Sequence, residues 1–347
     1  MEIFQKIFFF FIIVYMLSYK LNAQKDNIGI YYQLVNNAER EICSSSFKKA
    51  LQLYSESFNY LDGPFTHDLY NAFVCSYLLG KSNYTYYKTI RERGVSKNFF
   101  IKTKNIAAKT IDSLEQLGKI FLSINKDYRD SINTMLVHDQ LFRKLNDCYT
   151  TYADTIRVID KENASALIDI IKRKGFPSEK MIGNDSNNIT HPLFLVLIFH
   201  HAHGAKFQSA NFSLILDKAV RDGKIDNKLG TYLMDRSDGS DKYGTSEGGI
   251  CYYYWEGMYA NDSLRELDLE KGNHKWYTTS IEKIALVRYN RERSLYFMDT
   301  IDDYRKKIAF QIKNPVFDFG LYGYKSTNGM MYKEEFDYLF KNLIELK

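Results

Sequence analysis

Three histidines stand together at His200, His201 and His203 in the run FHHAH, and imidazole is the side chain best suited to exchanging a proton near neutral pH. On one continuous helix His200 and His203 share a face while His201 is turned about 100° away, so the three cannot grip one ion unless the helix ends there. Zinc-binding helices space their histidines at i and i+4, and no HExxH occurs. The pattern therefore implies no metal. The nearest approach to one is His201 with His203, joined by Asp217 or Asp235 where the backbone unwinds after His201. Histidines at a helix C-terminus also have a plain structural use, hydrogen-bonding the last carbonyls and opposing the dipole. A catalytic or ligand-orienting role falls first on His201.

The second polar concentration is the stretch 235–249, DRSDGSDKYGTSEGG, long and rich in glycine and small hydroxyl residues. It follows an apolar helical pattern, the setting in which scaffolds present functional loops. Asp235 and Arg236 either pair to fix the loop or set an anion-holding arginine beside a general acid/base. Tyr243 and Thr245 could line a pocket with His201. An EF-hand is excluded, because Ser246 falls where the last glutamate belongs. Ser246 is no better as a nucleophile, lacking GxSxG, SxxK and a triad order. The candidate catalytic set is His201, Asp235, Arg236, Tyr243 and Thr245. No GxGxxG, P-loop or paired CxxC is present, so no cofactor is implied.

Helical periodicity dominates the elements that would carry these residues. Ile30, Tyr31, Leu34, Val35, Ala38 and Ile42 form one stripe; Phe47, Ala50, Leu51, Tyr54 and Phe58 a second; Phe65, Leu69, Ala72, Phe73 and Leu79 a third. A short helix over 84–93 stops at Gly94, and 95–125 is less regular. A long amphipathic helix is expected over 127–148. The next is capped by Asp160 and ends at Gly175-Phe176-Pro177, where Lys172-Arg173-Lys174 meet the negative end of the dipole. Pro192 opens a helix that is apolar all round over 193–199, which makes it central to a core. Short β-like runs at ICYYYW and KWYTT precede helices near 281–293, 299–310 and 332–346, the last burying Phe336, Leu339, Phe340, Leu343 and Ile344.

Two resemblances follow. The paired helices of the first part loosely resemble tetratricopeptide hairpins. The second part carries, in order, Asp139-Gln140 with Arg143, Gly175-Phe176-Pro177, His200-His201, Asp235-Arg236 and Tyr243-Gly244-Thr245. That series resembles a bacterial domain family of unknown function marked by ordered DQ…R, GWP, QH, DR and YGTQ motifs. It would span about residues 130–310. Phe176 stands for the family's Trp, His200 for its Gln and Ser246 for its final Gln. The resemblance implies a mainly helical fold and export; it supplies no reaction.

At the N-terminus, Lys6, the apolar run 7–17 and Ala23 before Gln24 read as a signal peptide over 1–23. The run is shorter than the roughly 20 residues of a spanning helix, so no membrane span is expected after cleavage. Export permits disulfides, and four cysteines allow three pairings; Cys43 with Cys75, on adjacent helices, is favoured if one forms. With 47 Lys+Arg against 42 Asp+Glu, the charge is too balanced to imply nucleic acid. The 28 Tyr and 24 Phe fit an AT-rich genome and sit mostly at core spacing.

The expected protein is mainly α. A helical-hairpin module over 24–125, making contact with an envelope protein, precedes a helical, minor-β C-terminal domain over 126–347. The expected location is periplasmic or secreted. The expected function is binding or scaffolding around a small polar site. The alternative is a metal-independent hydrolase or transferase with His201 as general base and Arg236 as anion clamp.

Overall fold

The computed structural model describes residues 27–81, 83–203, 211–245, 250–252, 276–321, 325–327 and 343–346. The signal-peptide reading, His203's side chain, Ser246 and the stretch 253–275 lie outside what is described. The chain is mainly helical.

Residues 27–43 form α1, followed by α2 (Phe47–Ser57), α3 (Thr66–Leu78) and α4 (Tyr84–Glu92). Asn83 caps α4 by accepting from the amides of Thr85 and Tyr86, and Gly94, at φ +93°, ends that turn. The irregular stretch holds a π-turn at Phe99–Thr103 and α5 (Ala108–Glu115). Helix α3 is buried all round from Thr66 to Ser76, and the other helices pack about it. Much of this core is aromatic: Tyr70, Phe73, Tyr87, Phe99 and Phe100 meet at 4.9–6.0 Å between ring centres, mostly edge-on or tilted. The aromatic excess is thus spent largely on filling volume between helices.

Three boundaries differ from expectation. Helix α6 (Lys126–Arg143) stops before the chain turns through left-handed Asp147 into a single turn, α7 (Cys148–Thr151). Helix α8 (Ala153–Lys174) begins seven residues before Asp160, because Ile156 and Ile159 continue the buried stripe of Asn163, Leu167 and Ile170. Asp160 is therefore not a cap; Arg143 takes its carboxylate. At the far end, Leu343–Leu346 is a strand and not the last turn of a helix, and Ile344 is exposed. Phe336, Leu339 and Phe340 lie outside the described residues.

After α9 (Glu179–Ile182) come α10 (Leu195–His203), α11 (Ser213–Arg221) and α12 (Asn227–Asp238). Helix α10 packs against α6, α8 and α12, as its all-round apolar sequence requires. A small sheet follows: β1 (Ile250–Tyr252), β2 (Trp276–Thr279), β3 (Lys325–Thr327) and β4 (Leu343–Leu346), ordered β3-β1-β2-β4. The β1–β3 pairing is parallel and the other two are antiparallel. Helices α13 (Lys283–Ser294) and α14 (Ile301–Lys313) stand close to their expected positions.

Two apolar cores result. One joins α6, α8, α10, α11 and α12 with Tyr243, Tyr296 and Met298. The other comprises α1–α5, and Tyr304 and Ile308 of α14 with Phe317, Phe319 and Leu321 complete it. Buried ion pairs tie the two ends of the chain together. Lys228 Nζ of α12 lies 2.7 Å from Glu39 of α1; Lys307 of α14 bridges Glu39 and Asp299; Asp299 also accepts from Arg40 at 3.0 Å. Cys43, Cys75 and Cys148 are free thiols, which corrects the favoured Cys43–Cys75 disulfide. Burial pushes the thiols of Cys43 and Cys75 up to about 12, so both behave as small apolar side chains.

Candidate functional site

Asp139 and Arg143 occupy successive turns of one face of α6, Asp160 projects from α8, and His200 from α10. Their side chains converge. His200 Nδ1 lies 2.8 and 3.0 Å from the two carboxylate oxygens of Asp139. Arg143 donates to Asp139 Oδ1 at 3.0 Å and to both oxygens of Asp160, at 2.7 and 2.8 Å. Gln140 adds a donor to Asp139 Oδ2 at 2.6 Å. Asp139 is 1% exposed, while the His200 side chain is 22% exposed. The carboxylate is therefore the fixed support and the imidazole the group with access to solvent.

Facing a carboxylate, Nδ1 is the donor, and in the neutral ring Nε2 carries the lone pair that meets a proton or a ligand. Arg143 Nε is buried and has no hydrogen-bond partner. The ligand atoms of Asp139, Asp160 and His200 lie within 4.8 Å of one another, a spacing compatible with a metal. The guanidinium of Arg143 already bridges the two carboxylates, however, and a divalent ion there would face that charge directly. The donor set fits arginine as the resident cation.

The sequence-predicted set divides. Asp235 lies in the last turn of α12, and the loop proper begins only at Gly239, at φ +60°. Its buried carboxylate accepts from the amide of Lys242 at 2.8 Å, the amide of Tyr243 at 3.2 Å, Thr245 Oγ1 at 2.8 Å and Ser240 Oγ at 3.2 Å. Asp235, Tyr243 and Thr245 thus come together, as organisers of the loop backbone. Tyr243 is itself buried edge-on against Tyr296, and its carbonyl accepts from Arg293. Arg236 does not pair with Asp235 here; it is exposed, over the Tyr232 ring at 5.3 Å. Tyr232 in turn stacks on Phe199. Residue 201 is about 200° around α10 from residue 199, so His201 faces away from that side. His201 is buried, edge-on to Phe212.

Burial, with the nearby charge of Asp241, raises the Asp235 carboxyl to about 6 although the loop's donors oppose the shift. A raised folded value means that this group favours the fold most below its unfolded value near 4, and that the contribution is lost as pH rises through about 6. Carboxyl-carbon NMR is expected to place the Asp235 midpoint near 6 and to move it higher in Thr245→Val, which removes a donor to the charged form. A midpoint at or below 4 would contradict this account.

Sequence reasoning passed over His200 and Asp160. The signal for the first was Asp139, a carboxylate on the buried stripe of Tyr128 and Ile132 with Arg143 four residues on, which calls for a further partner; Asp160 was hidden by its resemblance to a helix cap. No protein-family model, no curated protein and no solved structure matches this chain.

Proposed function

We propose that this is an exported binding protein whose second half captures a small polar ligand at the Asp139–Arg143–Asp160–His200 cluster. The observation that carries this reading is the support behind His200: a buried carboxylate, itself clamped by Arg143, fixes the ring and leaves Nε2 as the contact atom. The ligand offers a donor or an acidic proton to that nitrogen. Export is supported by the signal-like residues 1–23. No helix among the described residues is long and apolar enough to cross a membrane. The helical hairpins of 24–125 suit contact with an envelope protein, consistent with exposed Leu78 and Leu79 at the end of α3.

A second reading is acid–base catalysis, as in a metal-independent hydrolase or transferase. A carboxylate-oriented imidazole is the arrangement that favours it. His200 is better placed than His201 to act as the base, since His201 is buried against Phe212 and turned from Arg236. One experiment serves both readings: a thermal-shift ligand screen and a hydrolase/transferase substrate screen on wild type beside His200→Ala and His201→Ala. The binding reading expects hits that disappear in His200→Ala, at a loss of about tenfold or more in affinity, and persist in His201→Ala. Turnover lost in His200→Ala would establish the catalytic reading. Hits unaffected by His200→Ala would end both.

A further inference from the structure

A groove of about 640 Å³ runs between α1 and the turn that follows α13. That is within the range of small-molecule sites, roughly 300–1,000 Å³. One wall comes from a single face of α1, where Gln33, Asn36, Asn37 and Arg40 recur at helical spacing. The opposite wall includes Phe297 and Met298. It is separate from the His200 cluster, and no residue of the sequence-predicted site lines it.

Among the residues that line the groove, Arg40 alone carries a charge. In the connected chain of buried ion pairs, Arg40, Lys307 and Lys228 pair with Asp299 and Glu39, and the buried carboxylates of Asp226 and Asp68 also act on Lys228. Arg40, with a side chain 49% exposed, is the member of that chain that lines the groove. Its guanidinium is held in place by Asn37 Oδ1 at 2.7 Å and Asp299 Oδ1 at 3.0 Å. Those bonds use two of its five N–H groups and fix the fork for an incoming carboxylate.

The apolar wall is built at a cost. Phe297 adopts φ +57°, a left-handed conformation that disfavours residues with a Cβ and is usually left to glycine. Asn36 Nδ2 pins its carbonyl at 2.8 Å, and its ring stacks on Tyr32 and lies so close to Gly29 that a Cβ there would sit 2.9 Å from it. Backbone strain of this kind is retained where the surroundings over-determine it, typically at ligand clamps.

We propose that this groove binds an acidic sugar. Arg40 takes the carboxylate, the carboxamides of Gln33 and Asn37 donate to and accept from hydroxyls, and Phe297 and Met298 cover the apolar face of the ring. Isothermal titration of the full mature chain with D-glucuronate, D-glucose and acetate, up to tens of millimolar, tests it. Saturable glucuronate binding is expected, with glucose and acetate each weaker by about tenfold or more. Arg40→Gln is expected to weaken glucuronate by about tenfold to a hundredfold while leaving glucose unchanged. Gln33→Ala, at an exposed position outside the ion-pair chain, is expected to weaken glucuronate about fivefold with no change in unfolding midpoint. Absence of saturable glucuronate binding would overturn the proposal, as would acetate binding equal to glucuronate or full affinity in both variants.

Discussion

Lys307→Met is expected to lower the unfolding free energy by about 3–5 kcal/mol, the usual result of removing one partner from a buried charge cluster. Lys307 is 1% exposed and bridges two carboxylates that are equally inaccessible, Glu39 and Asp299. Methionine fills much of the volume but leaves both acids with less positive charge. Against a typical total of about 5–15 kcal/mol, the midpoint of thermal unfolding should fall on the order of 10 °C. Burial alone would raise the carboxyls of Glu39 and Asp299, yet Lys228 and Lys307 for the first, and chiefly Lys307 for the second, hold them below their ordinary range. A lowered folded value supplies stability that is present above the unfolded pKa, near 4, and lost as pH falls through the folded value. Acid sensitivity below pH about 4 should therefore diminish in the variant. Adding Asp299→Asn is expected to restore part of the loss, because Glu39 still neutralises the buried Lys228 while the half-exposed Arg40 turns to water. Calorimetric scans from pH 3 to 7 check both points, and a midpoint for Lys307→Met within about 2 °C of wild type at pH 7 would refute the account.

The second large effect is expected from Gly183→Ala. This glycine follows α9 at φ +75°, and an added Cβ would collide with the carbonyl oxygen of Arg93 and lie 2.7 Å from Arg129 Nη1. Neither neighbour is free to move: the Arg93 carbonyl accepts from the Asn184 amide at 2.8 Å, and Arg129 donates to the Ile182 carbonyl at 2.9 Å. With ψ near 180° as well, this backbone conformation is essentially confined to glycine and costs an alanine about 1–3 kcal/mol, and overpacking adds about 1–3 kcal/mol. Gly175 supplies the control, since it has φ +84° but nothing within 4 Å of a Cβ. Chemical denaturation should show Gly175→Ala losing only the conformational part. Equal losses at the two positions would mean that the close approach to Arg93 carries no weight.

What could be read from the chain was whatever is written locally. The stripes through Ala50 and Tyr54, or Phe65 and Phe73, specify their helices because 3.6-residue spacing is a property of neighbours. The mainly helical class and the β-like runs at 250–252 and 276–279 followed from the same kind of signal. The ion-pair chain was invisible: Glu39, Lys228 and Lys307 each look like a solvated helix residue, and their partners stand 189 and 268 positions away. His200 illustrates a subtler limit. Its neighbour His201 was the expected site residue, but which of two adjacent histidines meets Asp139 depends on how α10 is rotated against α6, and no local pattern states that rotation.

The same separations bear on the order in which the protein is made. Glu39 emerges from the ribosome early, Lys228 much later and Lys307 nearly at the end, so the charge of Glu39 waits unneutralised while most of the chain is synthesised. Contacts this distant in sequence close slowly, because the intervening loop entropy must be met first. The aromatic core of α1–α5 has the same dependence, since Tyr304, Ile308, Phe317 and Phe319 arrive with α14 and the segment after it. A chain halted short of residue 307 would thus present a buried acid that lacks one of its two lysines and an uncovered aromatic face. Such truncated products are natural targets for proteolysis.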